Sequence, residues 1–447
     1  MSSAFPTQRR PRVAFVTLGC AKNEVDSEHM RARVLSQGFE VSRDPSDADA
    51  IVVNTCSFIQ SATEESIEAI LEVAGLPEVA AGNAALIVAG CMPARYGSDL
   101  EGELAEASAF VPCSKEDDIA QVVADALHVQ LPLEDVRSSE WLGAVPEGVG
   151  HFEDGAVSAY VKISDGCDRF CSFCTIPFIR GRYHSFPYEE VLEEVRARVS
   201  EGVREIVLIA QDTGRWGQDL GEEDSLASLL DRLAAAFPST WFRVMYIQPE
   251  GVTDDLLHVM AAHANVCRYL DIPLQHVVPR ILASMRRRGC REDFERLVER
   301  VRAVMPDVTL RTTLIAGFPG ETDDDFEELC DFVEEGFFDY VGVFPYSREE
   351  GTRAYSLPDQ VEDDEKADRA QRLRDLADDV SAPIIHERVG RRMDVLVEGM
   401  EDDGQVFGRA MCQAPEVDGV TYVHSGKPGE VLSVLITDTL LYEMEGE

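Results

Sequence analysis

The amino-acid sequence predicts an α/β multidomain protein with three successive folded regions. Two long regions alternate short apolar strands with amphipathic helices, a pattern typical of parallel sheets covered by helices. The carboxyl-terminal region changes to short strands separated by Asp-Gly and Pro-Gly turns, which indicates a small antiparallel β-barrel. We therefore expect, in order, a doubly wound parallel sheet, a partial (β/α)6 barrel and a small antiparallel β-barrel.

The predicted domains cover residues 1–128, 156–382 and 383–447, and residues 129–155 are predicted to form a linker. The linker has weak periodicity, several glycines and acidic residues, and one apolar anchor, Trp141. A chain of 447 residues is long enough to bury more than one core.

The first domain contains four apolar segments that read as strands, with predicted helices such as Glu24 to Gln37 and Ala62 to Val73 between them. The predicted strands are Val13 to Leu18, Ala50 to Val53, Ala85 to Ala89 and Ala109 to Val111.

Three cysteines follow the first three of these strands. Cys20, Cys56 and Cys91 would lie at the carboxyl edge of a parallel sheet, where open α/β sheets bind their ligands. Any one of them could be a simple buried thiol, but three in succession beside Gly or Asn favour a metal centre. Cys113 follows the fourth strand, so geometry leaves it as a competing ligand.

The second domain contains six strand and helix units, which predict an incomplete barrel whose functional face is formed by the carboxyl ends of its strands. Polar motifs follow most of these strands, and a glycine-rich turn follows the fifth. That turn could cradle a cofactor by close backbone approach, or it could be the tight turn that begins the next helix. The predicted strands are Ser158 to Ile163, Glu205 to Ala210, Phe242 to Ile247, Cys267 to Asp271, Thr309 to Ile315 and Tyr340 to Phe344.

A C-x3-C-x2-C loop of Cys167, Cys171 and Cys174 comes directly after the first barrel strand. Three thiolates on one loop suit an iron-sulfur cluster that keeps one iron open. A structural zinc site would normally need a fourth protein ligand. Disulfide pairing is a weak alternative because nothing in the sequence indicates secretion.

The composition is strongly acidic, with 83 Asp and Glu against 41 Lys and Arg and a formal charge of -42. Such a charge opposes binding to nucleic acid, because phosphate binding depends on Lys and Arg. An acidic surface that keeps the protein soluble explains the charge at least as well as a role in recognition does. With no signal peptide or membrane span evident, we expect a soluble cytoplasmic protein.

A charged helix, Glu362 to Val380, precedes the third domain. Residues 383–447 contain five basic and thirteen acidic side chains, whereas a barrel that binds nucleic acid should be positive. The predicted strands are Met393 to Glu398, Gln405 to Ala410, Thr421 to Val423 and Val431 to Asp438.

Together these features resemble the methylthiotransferase family of radical S-adenosylmethionine (SAM) enzymes over nearly the whole chain. The family has an amino-terminal domain with three scattered cysteines, a radical SAM barrel and a carboxyl-terminal TRAM domain. The segment Leu18 to Glu28 is similar to the RimO branch, which modifies a ribosomal protein. The MiaB branch, which modifies tRNA, usually has a different pattern around the cysteine that corresponds to Cys20.

The resemblance implies two 4Fe-4S clusters and SAM as cofactors. Cys20, Cys56 and Cys91 would hold an auxiliary cluster, while Cys167, Cys171 and Cys174 would hold the cluster that cleaves SAM. The choice against Cys113 rests only on the residues flanking the motif. The expected SAM contacts are Gln211, Gln275, Arg311, Gly317 and Glu321.

The implied reaction adds a methylthio group to the β-carbon of an aspartate in the twelfth small-subunit ribosomal protein. The alternatives are methylthiolation of a tRNA adenosine and a non-catalytic iron-sulfur scaffold. The expected partner is the ribosomal protein, with no membrane and no direct nucleic-acid substrate. The sequence identifies neither the electron donor nor the sulfur donor.

Overall fold

The structure is a computed structural model that describes residues 10–130 and 156–447. Its described part divides into two compact units. The first comprises residues 10–130 together with residues 175–182, and the second comprises residues 156–174 and 183–447. The predicted linker lies outside the described residues from position 131 onward, as does its anchor Trp141. The domain boundaries drawn from the sequence remain predictions.

The first unit is built on a five-stranded parallel sheet in the order β2-β1-β3-β4-β5. The two central strands, β3 and β4, are buried along their whole length, as expected for a parallel sheet covered on both faces. The short edge strand β2 was not predicted. The strands are β1 (Arg12–Thr17), β2 (Glu40–Ser42), β3 (Ala50–Thr55), β4 (Ala85–Gly90) and β5 (Ala109–Pro112).

Helices cover both faces of this sheet. In one core, alternate residues of the strands pack against Met30, Val34, Ile119 and Val123. In the other core, the intervening strand residues pack against helical residues such as Ile70. The doubly wound arrangement is therefore confirmed. The helices are α1 (Ala21–Ser36), α2 (Gln60–Ala74), α3 (Pro77–Ala80), α4 (Cys91–Tyr96), α5 (Asp99–Glu103), α6 (Ile119–Ala126) and, from the 175–182 segment, α7 (Ile176–Ile179).

The second unit begins with six parallel strands in sequential order. They form two three-stranded sheets, β6-β9-β10 and β11-β12-β13, which are linked by a parallel bridge between Phe242 and Val266. This is the predicted partial barrel. A short hairpin of β7 and β8 was missed, because each strand has two residues. The strands are β6 (Ser158–Lys162), β7 (Ser164–Asp165), β8 (His184–Ser185), β9 (Glu205–Ile209), β10 (Trp241–Val244), β11 (Tyr269–Asp271), β12 (Thr309–Ala316) and β13 (Tyr340–Pro345).

Helices pack around these strands and enclose one continuous apolar core. They are α8 (Tyr188–Ser200), α9 (Leu226–Ala236), α10 (Asp254–Ala262), α11 (Pro279–Ser284), α12 (Arg291–Val304), α13 (Asp323–Glu334) and α14 (Asp363–His386). Helix α14 continues through Pro383, so the boundary predicted at that proline falls inside a helix. A proline near the end of a helix removes one backbone bond, and Ile385 in the last turn is fully buried.

The carboxyl-terminal region is a closed five-stranded barrel in the order β14-β15-β16-β18-β17. Its pairs are antiparallel except β16 with β18, which is parallel. The short β18 was not predicted, and it closes the barrel. The strands are β14 (Arg392–Met400), β15 (Val406–Ala410), β16 (Thr421–Val423), β17 (Val431–Leu440) and β18 (Glu443–Gly446).

Within the described residues, no helix has both the length and the apolar composition that crossing a bilayer requires.

Candidate functional site

The loop that carries Cys167, Cys171 and Cys174 follows β6 and the short β7, beyond the carboxyl end of the first barrel strand. It begins at Gly166, whose φ of +73° is in the left-handed region that glycine adopts most easily. The N–H of Gly166 donates to Asp165 Oδ1 at 2.8 Å. Within the loop, the N–H of Cys174 donates to the carbonyl of Cys171 at 3.1 Å. These bonds close the loop into a compact turn.

Ser172 fixes the middle of this loop to the barrel. Its N–H donates to Met285 O at 3.0 Å and its hydroxyl donates to Ser284 O at 2.7 Å. Its carbonyl accepts the N–H of Ala354 at 2.7 Å. Because Ser172 is buried, these bonds are shielded from competition with water, and they hold the cysteine loop at the carboxyl face of the strands.

Burial raises the pKa of the Cys167 thiol, and a hydrogen bond from the N–H of Arg169 opposes the rise. The Arg169 guanidinium bridges Asp212, through Nε at 2.5 Å, and Glu250, through a second nitrogen at 3.1 Å. Burial raises the pKa of Asp212 even though Arg169 opposes it. A metal that binds Cys167 would displace its proton.

Cys20, Cys56 and Cys91 lie at the carboxyl edge of the sheet in the first unit, as predicted. Cys20 precedes α1, Cys56 follows β3, and Cys91 is the first residue of α4. Burial raises the pKa of Cys56 to about 11, the N–H of Phe58 opposes this, and the charges of Cys91 and Cys20 add to it. The charges of Cys20 and Cys91 therefore both act on the Cys56 thiol.

Two glycines allow the loops at this edge to approach each other. Gly19 has a φ of +93°, and a Cβ there would lie 2.5 Å from Cys56 Cβ and 2.9 Å from its sulfur. Gly90 also has a φ of +93°, and a Cβ there would lie 2.2 Å from Asn54 Oδ1. Any side chain at Gly19 would push the Cys20 loop away from Cys56.

Arg180, from the 175–182 segment of the first unit, places a positive charge beside Cys91. It donates to Asp26 Oδ2 at 2.7 Å and to Asn23 Oδ1 at 2.9 Å, and the same nitrogen lies 4.0 Å from Cys91 Sγ. The side chains of Arg180 and Asp26 are each 2% exposed. The sequence pattern gave no sign of this role for Arg180. Asn23 and Asp26 belong to the segment that resembles the RimO branch, but no role was assigned to them.

Cys113 is brought directly to Cys91. A hydrogen bond between the two thiols lowers the pKa of Cys91 to about 7, Arg180 acts in the same direction, and burial opposes both. The same bond raises the pKa of Cys113. Cys91 and Cys113 therefore form a close thiol pair in which each cysteine changes the pKa of the other.

Both donor sets consist of cysteine thiols, the side chains that hold iron-sulfur clusters. Among the described residues, no three Cys, His, Asp or Glu side chains are arranged to hold one metal ion. A 4Fe-4S cluster instead distributes its thiolates over separate irons, so its ligands are spaced more widely. The described cysteines form no disulfide, which leaves both sets of thiols available as ligands.

Two glutamine side chains at neighbouring strand ends lack protein partners. Both amide atoms of Gln211, after β9, and the amide oxygen of Gln248, after β10, are buried without a hydrogen bond among the described residues. Of these two residues, only Gln211 is among the SAM contacts expected from the sequence. Gln275 has a φ of +75°, and its backbone bonds to Thr313 O and to the N–H of Ile315, each at 2.8 Å.

Arg311 is already engaged by carboxylates. Its guanidinium lies 3.1 Å from Asp271 Oδ1 and 3.4 Å from Asp418 Oδ1, and Asp418 belongs to the small barrel. Arg311 is the third residue of β12, towards the amino end of that strand. The Arg311 guanidinium is therefore held by two protein carboxylates, one of which, Asp271, is the last residue of β11.

Glu321 and Gly317 bind each other. The N–H of Gly317 lies 3.0 Å from both Glu321 carboxylate oxygens, and Arg369 and His276 contact the same carboxylate. Burial alone would raise the pKa of Glu321, but these partners hold it below its ordinary value. A Cβ at Gly317 would lie 2.3 Å from Lys366 Cγ. These contacts favour the tight-turn interpretation over the cofactor cradle.

Three family models match successive parts of the chain. The Uncharacterized protein family UPF0004 matches residues 12–112, the Radical SAM superfamily matches residues 161–333, and the TRAM domain matches residues 389–447. With the three-cysteine loop at the carboxyl face of a partial barrel, they define the class: a radical SAM enzyme, with a 4Fe-4S cluster and SAM as its cofactors.

Relatives that match almost end to end specify the family. The chain is 39% identical over 444 residues to the ribosomal protein uS12 methylthiotransferase RimO of Trichlorobacter lovleyi, covering 98% of each chain. It is 42% identical over 445 residues to the same enzyme of Syntrophobacter fumaroxidans, covering 97% of this chain and 98% of the relative. The chain belongs to the RimO family of radical SAM methylthiotransferases.

Solved structures with low sequence identity share the fold. The radical SAM methyltransferase TsrM from Kitasatospora setae aligns with a TM-score of 0.56 at 15% identity, covering 77% of this chain and 74% of TsrM. The cobalamin-dependent radical SAM enzyme OxsB aligns with a TM-score of 0.50 at 13% identity, covering 83% of this chain and 56% of OxsB. The α/β multidomain fold class is confirmed.

Proposed function

We propose that this chain adds a methylthio group to the β-carbon of an aspartate in ribosomal protein uS12. One observation carries the proposal: two separate sets of three thiols occupy sheet edges in a chain that aligns over 98% of its length with a uS12 methylthiotransferase. A ribosomal substrate would place the reaction in the cytoplasm.

The chemistry explains the need for two cysteine sets. No side-chain base can ionise the C–H bond beside a carboxylate at neutral pH, so a radical must remove that hydrogen. When bound, the clusters would supply the electron that splits SAM and an anchoring site for the transferred sulfur. The protein must orient the aspartate, exclude water and hold the clusters.

Cys167, Cys171 and Cys174 would hold the cluster that cleaves SAM, and Ser172 keeps their loop in place. Gln211 offers the best support as a SAM contact, because its buried amide has no protein partner. The proposed SAM contacts at Gln275 and Gly317 rest on their position at the carboxyl ends of strands. Those at Arg311 and Glu321 are less supported, since protein groups already satisfy both side chains.

Cys20, Cys56 and Cys91 would hold the auxiliary cluster. Arg180 would offset part of the negative charge that three thiolates bring to this buried edge, because its guanidinium lies 4.0 Å from Cys91 Sγ. Charge and hydrogen bonds near the sulfurs tune such clusters. Asn23 and Asp26 would act as positioning residues that hold Arg180.

A protein substrate agrees better with the charge than tRNA does. The small barrel and its preceding turn, residues 383–447, carry thirteen acidic against five basic residues. A tRNA-binding barrel would need basic groups for the phosphates. Ribosomal proteins that contact RNA are basic, and an acidic enzyme surface would attract them.

The function is tested with reconstituted enzyme, SAM, a reductant, sulfide and purified uS12. We expect one methylthio mass on one aspartate, located by peptide fragmentation. A parallel reaction contains unmodified tRNA in place of uS12. Modified tRNA with unmodified uS12 would reverse the assignment, and cluster absorbance without any cleavage of SAM would support a scaffold protein.

Replacing Cys113 with Ala should leave about eight irons per chain, whereas replacing Cys91 should leave about four. The reason is that Cys91 belongs to the proposed ligand set, and the Arg180 guanidinium 4.0 Å from its sulfur would stabilise a thiolate there. Iron and sulfide are quantified on anaerobically reconstituted protein. Cys290→Ala, in the second unit, is the control and should keep about eight irons. Loss of four irons from Cys113→Ala with retention in Cys91→Ala would exchange the two roles.

A further inference from the structure

An arginine-rich surface lies beside the loop that carries Cys171. Residues 284–302 contain seven arginines and four acidic residues, in a chain whose formal charge is -42. In the part of the chain that the structure describes, Arg286, Arg287 and Arg288 form no salt bridge with a carboxylate, although most other arginines do. We call the following residues the arginine patch: Arg286, Arg287, Arg288, Arg296 and Arg300.

The patch is joined directly to the cysteine loop. Arg287 lies 3.9 Å from Cys171 Sγ, and its other terminal nitrogen donates to Pro273 O at 2.6 Å. Arg286 donates to Phe170 O at 3.4 Å. The bonds of Ser172 to Ser284 and Met285, described above, tie the same turn to the same loop. A partner bound to the arginine patch would therefore lie close to the cysteines proposed to hold the SAM-cleaving cluster.

A groove of about 370 Å³ continues the patch along helix α12. Pro249, Phe294 and Leu297 give it an apolar floor, and arginines of the patch line its sides. Its two acidic residues are paired, Glu250 with Arg169 and Asp293 with Arg296, and Arg300 is paired with Asp254. Among the lining arginines, only Arg288 forms no salt bridge with a described carboxylate. Arg288 therefore contributes an uncompensated positive charge, beside apolar surface that suits a protein partner.

We propose that the arginine patch is the docking surface for a small acidic protein that carries one electron. The inference rests on the proposed function, because cleavage of SAM consumes one electron that the chain cannot supply. One electron would pass from the reduced carrier to the cluster held by Cys167, Cys171 and Cys174, so the carrier is oxidised by one electron and the cluster is reduced by one.

Charge complementarity favours this partner over the others. The basic substrate uS12 would be repelled by the patch, and a long RNA would extend from it onto acidic surface, because phosphate binding needs a continuous basic track. A small acidic carrier needs only a local positive area and can be steered to it electrostatically. The apolar floor of the groove supplies the contact that a folded protein would use.

The test uses the reconstituted enzyme and reduced flavodoxin of net negative charge. Oxidation of the flavin by one electron is followed by stopped-flow absorbance at several salt concentrations, and binding is measured by thermophoresis with oxidised flavodoxin. For the Arg288→Glu, Arg296→Glu double variant we expect reduction at low salt to slow by about tenfold or more. The affinity should fall in parallel, and most of the salt dependence should disappear.

The matched control is the Arg196→Glu, Arg268→Glu double variant, which makes the same change in net charge. Both of its side chains are exposed, on α8 and just before the amino end of β11. This variant should react with flavodoxin nearly as the unmodified enzyme does. When dithionite replaces flavodoxin, it should reduce the clusters of all three proteins at the same rate. All three proteins should then cleave SAM equally fast.

Equal slowing in both double variants, or no slowing in either, would overturn the docking proposal. Lost binding of tRNA with unchanged reduction by flavodoxin would assign the patch to RNA instead. Failure of the unmodified enzyme to cleave SAM with dithionite would count against the proposed function, not against the patch.

Discussion

Replacement of Cys171 by alanine is expected to abolish the formation of 5'-deoxyadenosine, whereas replacement of Cys56 should leave it measurable. Cys171 lies on the loop at the carboxyl face of the barrel, and Cys56 lies at the sheet edge of the first unit. Removing one of three thiolates leaves too few protein ligands to retain a cluster. Product is quantified by chromatography and mass spectrometry, with dithionite as reductant.

The two variants should both fail in methylthio transfer, for different reasons. Cys171→Ala cannot generate the radical, while Cys56→Ala generates it without an auxiliary cluster to donate the methylthio group. Cys267→Ala is the matched control, because Cys267 is a buried cysteine outside both sets. Equal loss of SAM cleavage in Cys171→Ala and Cys56→Ala, with normal folding by circular dichroism, would contradict the division of labour between the two sites.

Glu205→Gln is expected to destabilise the second unit by about 3–5 kcal/mol. Glu205 accepts from Arg243 at 2.9 Å and from Arg409 at 2.5 Å, and none of these side chains is more than 3% exposed. The substitution would leave Arg243 buried without its carboxylate. The free energy of unfolding is measured anaerobically by urea titration. Glu327→Gln removes the carboxylate of an exposed pair with Arg372 and should cause little change.

The Glu205 carboxylate should also make the free energy of unfolding depend on pH. Burial would raise the pKa of Glu205, but Arg409 and Arg243 lower it to about 2, compared with about 4.3 in an unfolded chain. Its stabilising contribution is therefore complete above about pH 4.3 and is lost as the pH falls towards 2. The difference in unfolding free energy between the unmodified enzyme and Glu205→Gln should narrow over that interval. A constant difference would contradict the assignment.

Local pattern was enough to predict most of the fold. The long strands and the main helices appear as expected, because burial on alternate faces leaves a period in the sequence. The strands that were missed, β2, β7, β8 and β18, have two to four residues, whereas the equally short β16 was predicted because the Asp418-Gly419 turn precedes it. The helix end beyond Pro383 was missed because the proline predicts a break that the packing of Ile385 overrides.

Local sequence also did not show which polar residues are already bound by other parts of the protein. Glu321 and Arg311 were selected because they follow or lie within barrel strands, and polar groups there often bind ligands. The structure shows that their charges are met by Gly317, His276 and Arg369 in one case and by Asp271 and Asp418 in the other. The partners come from distant parts of the chain, so no local pattern could reveal them.

The sequence by itself determined the fold class and the loop of Cys167, Cys171 and Cys174, because strand periodicity and cysteine spacing are local properties. The choice of Cys20, Cys56 and Cys91 over Cys113 rested on the family resemblance. Only the tertiary structure decided which groups surround those cysteines. It placed Arg180 and Cys113 beside Cys91, and Arg287 beside Cys171. Such contacts join residues far apart in sequence, and the folded backbone alone sets the distances on which charge and hydrogen bonding depend.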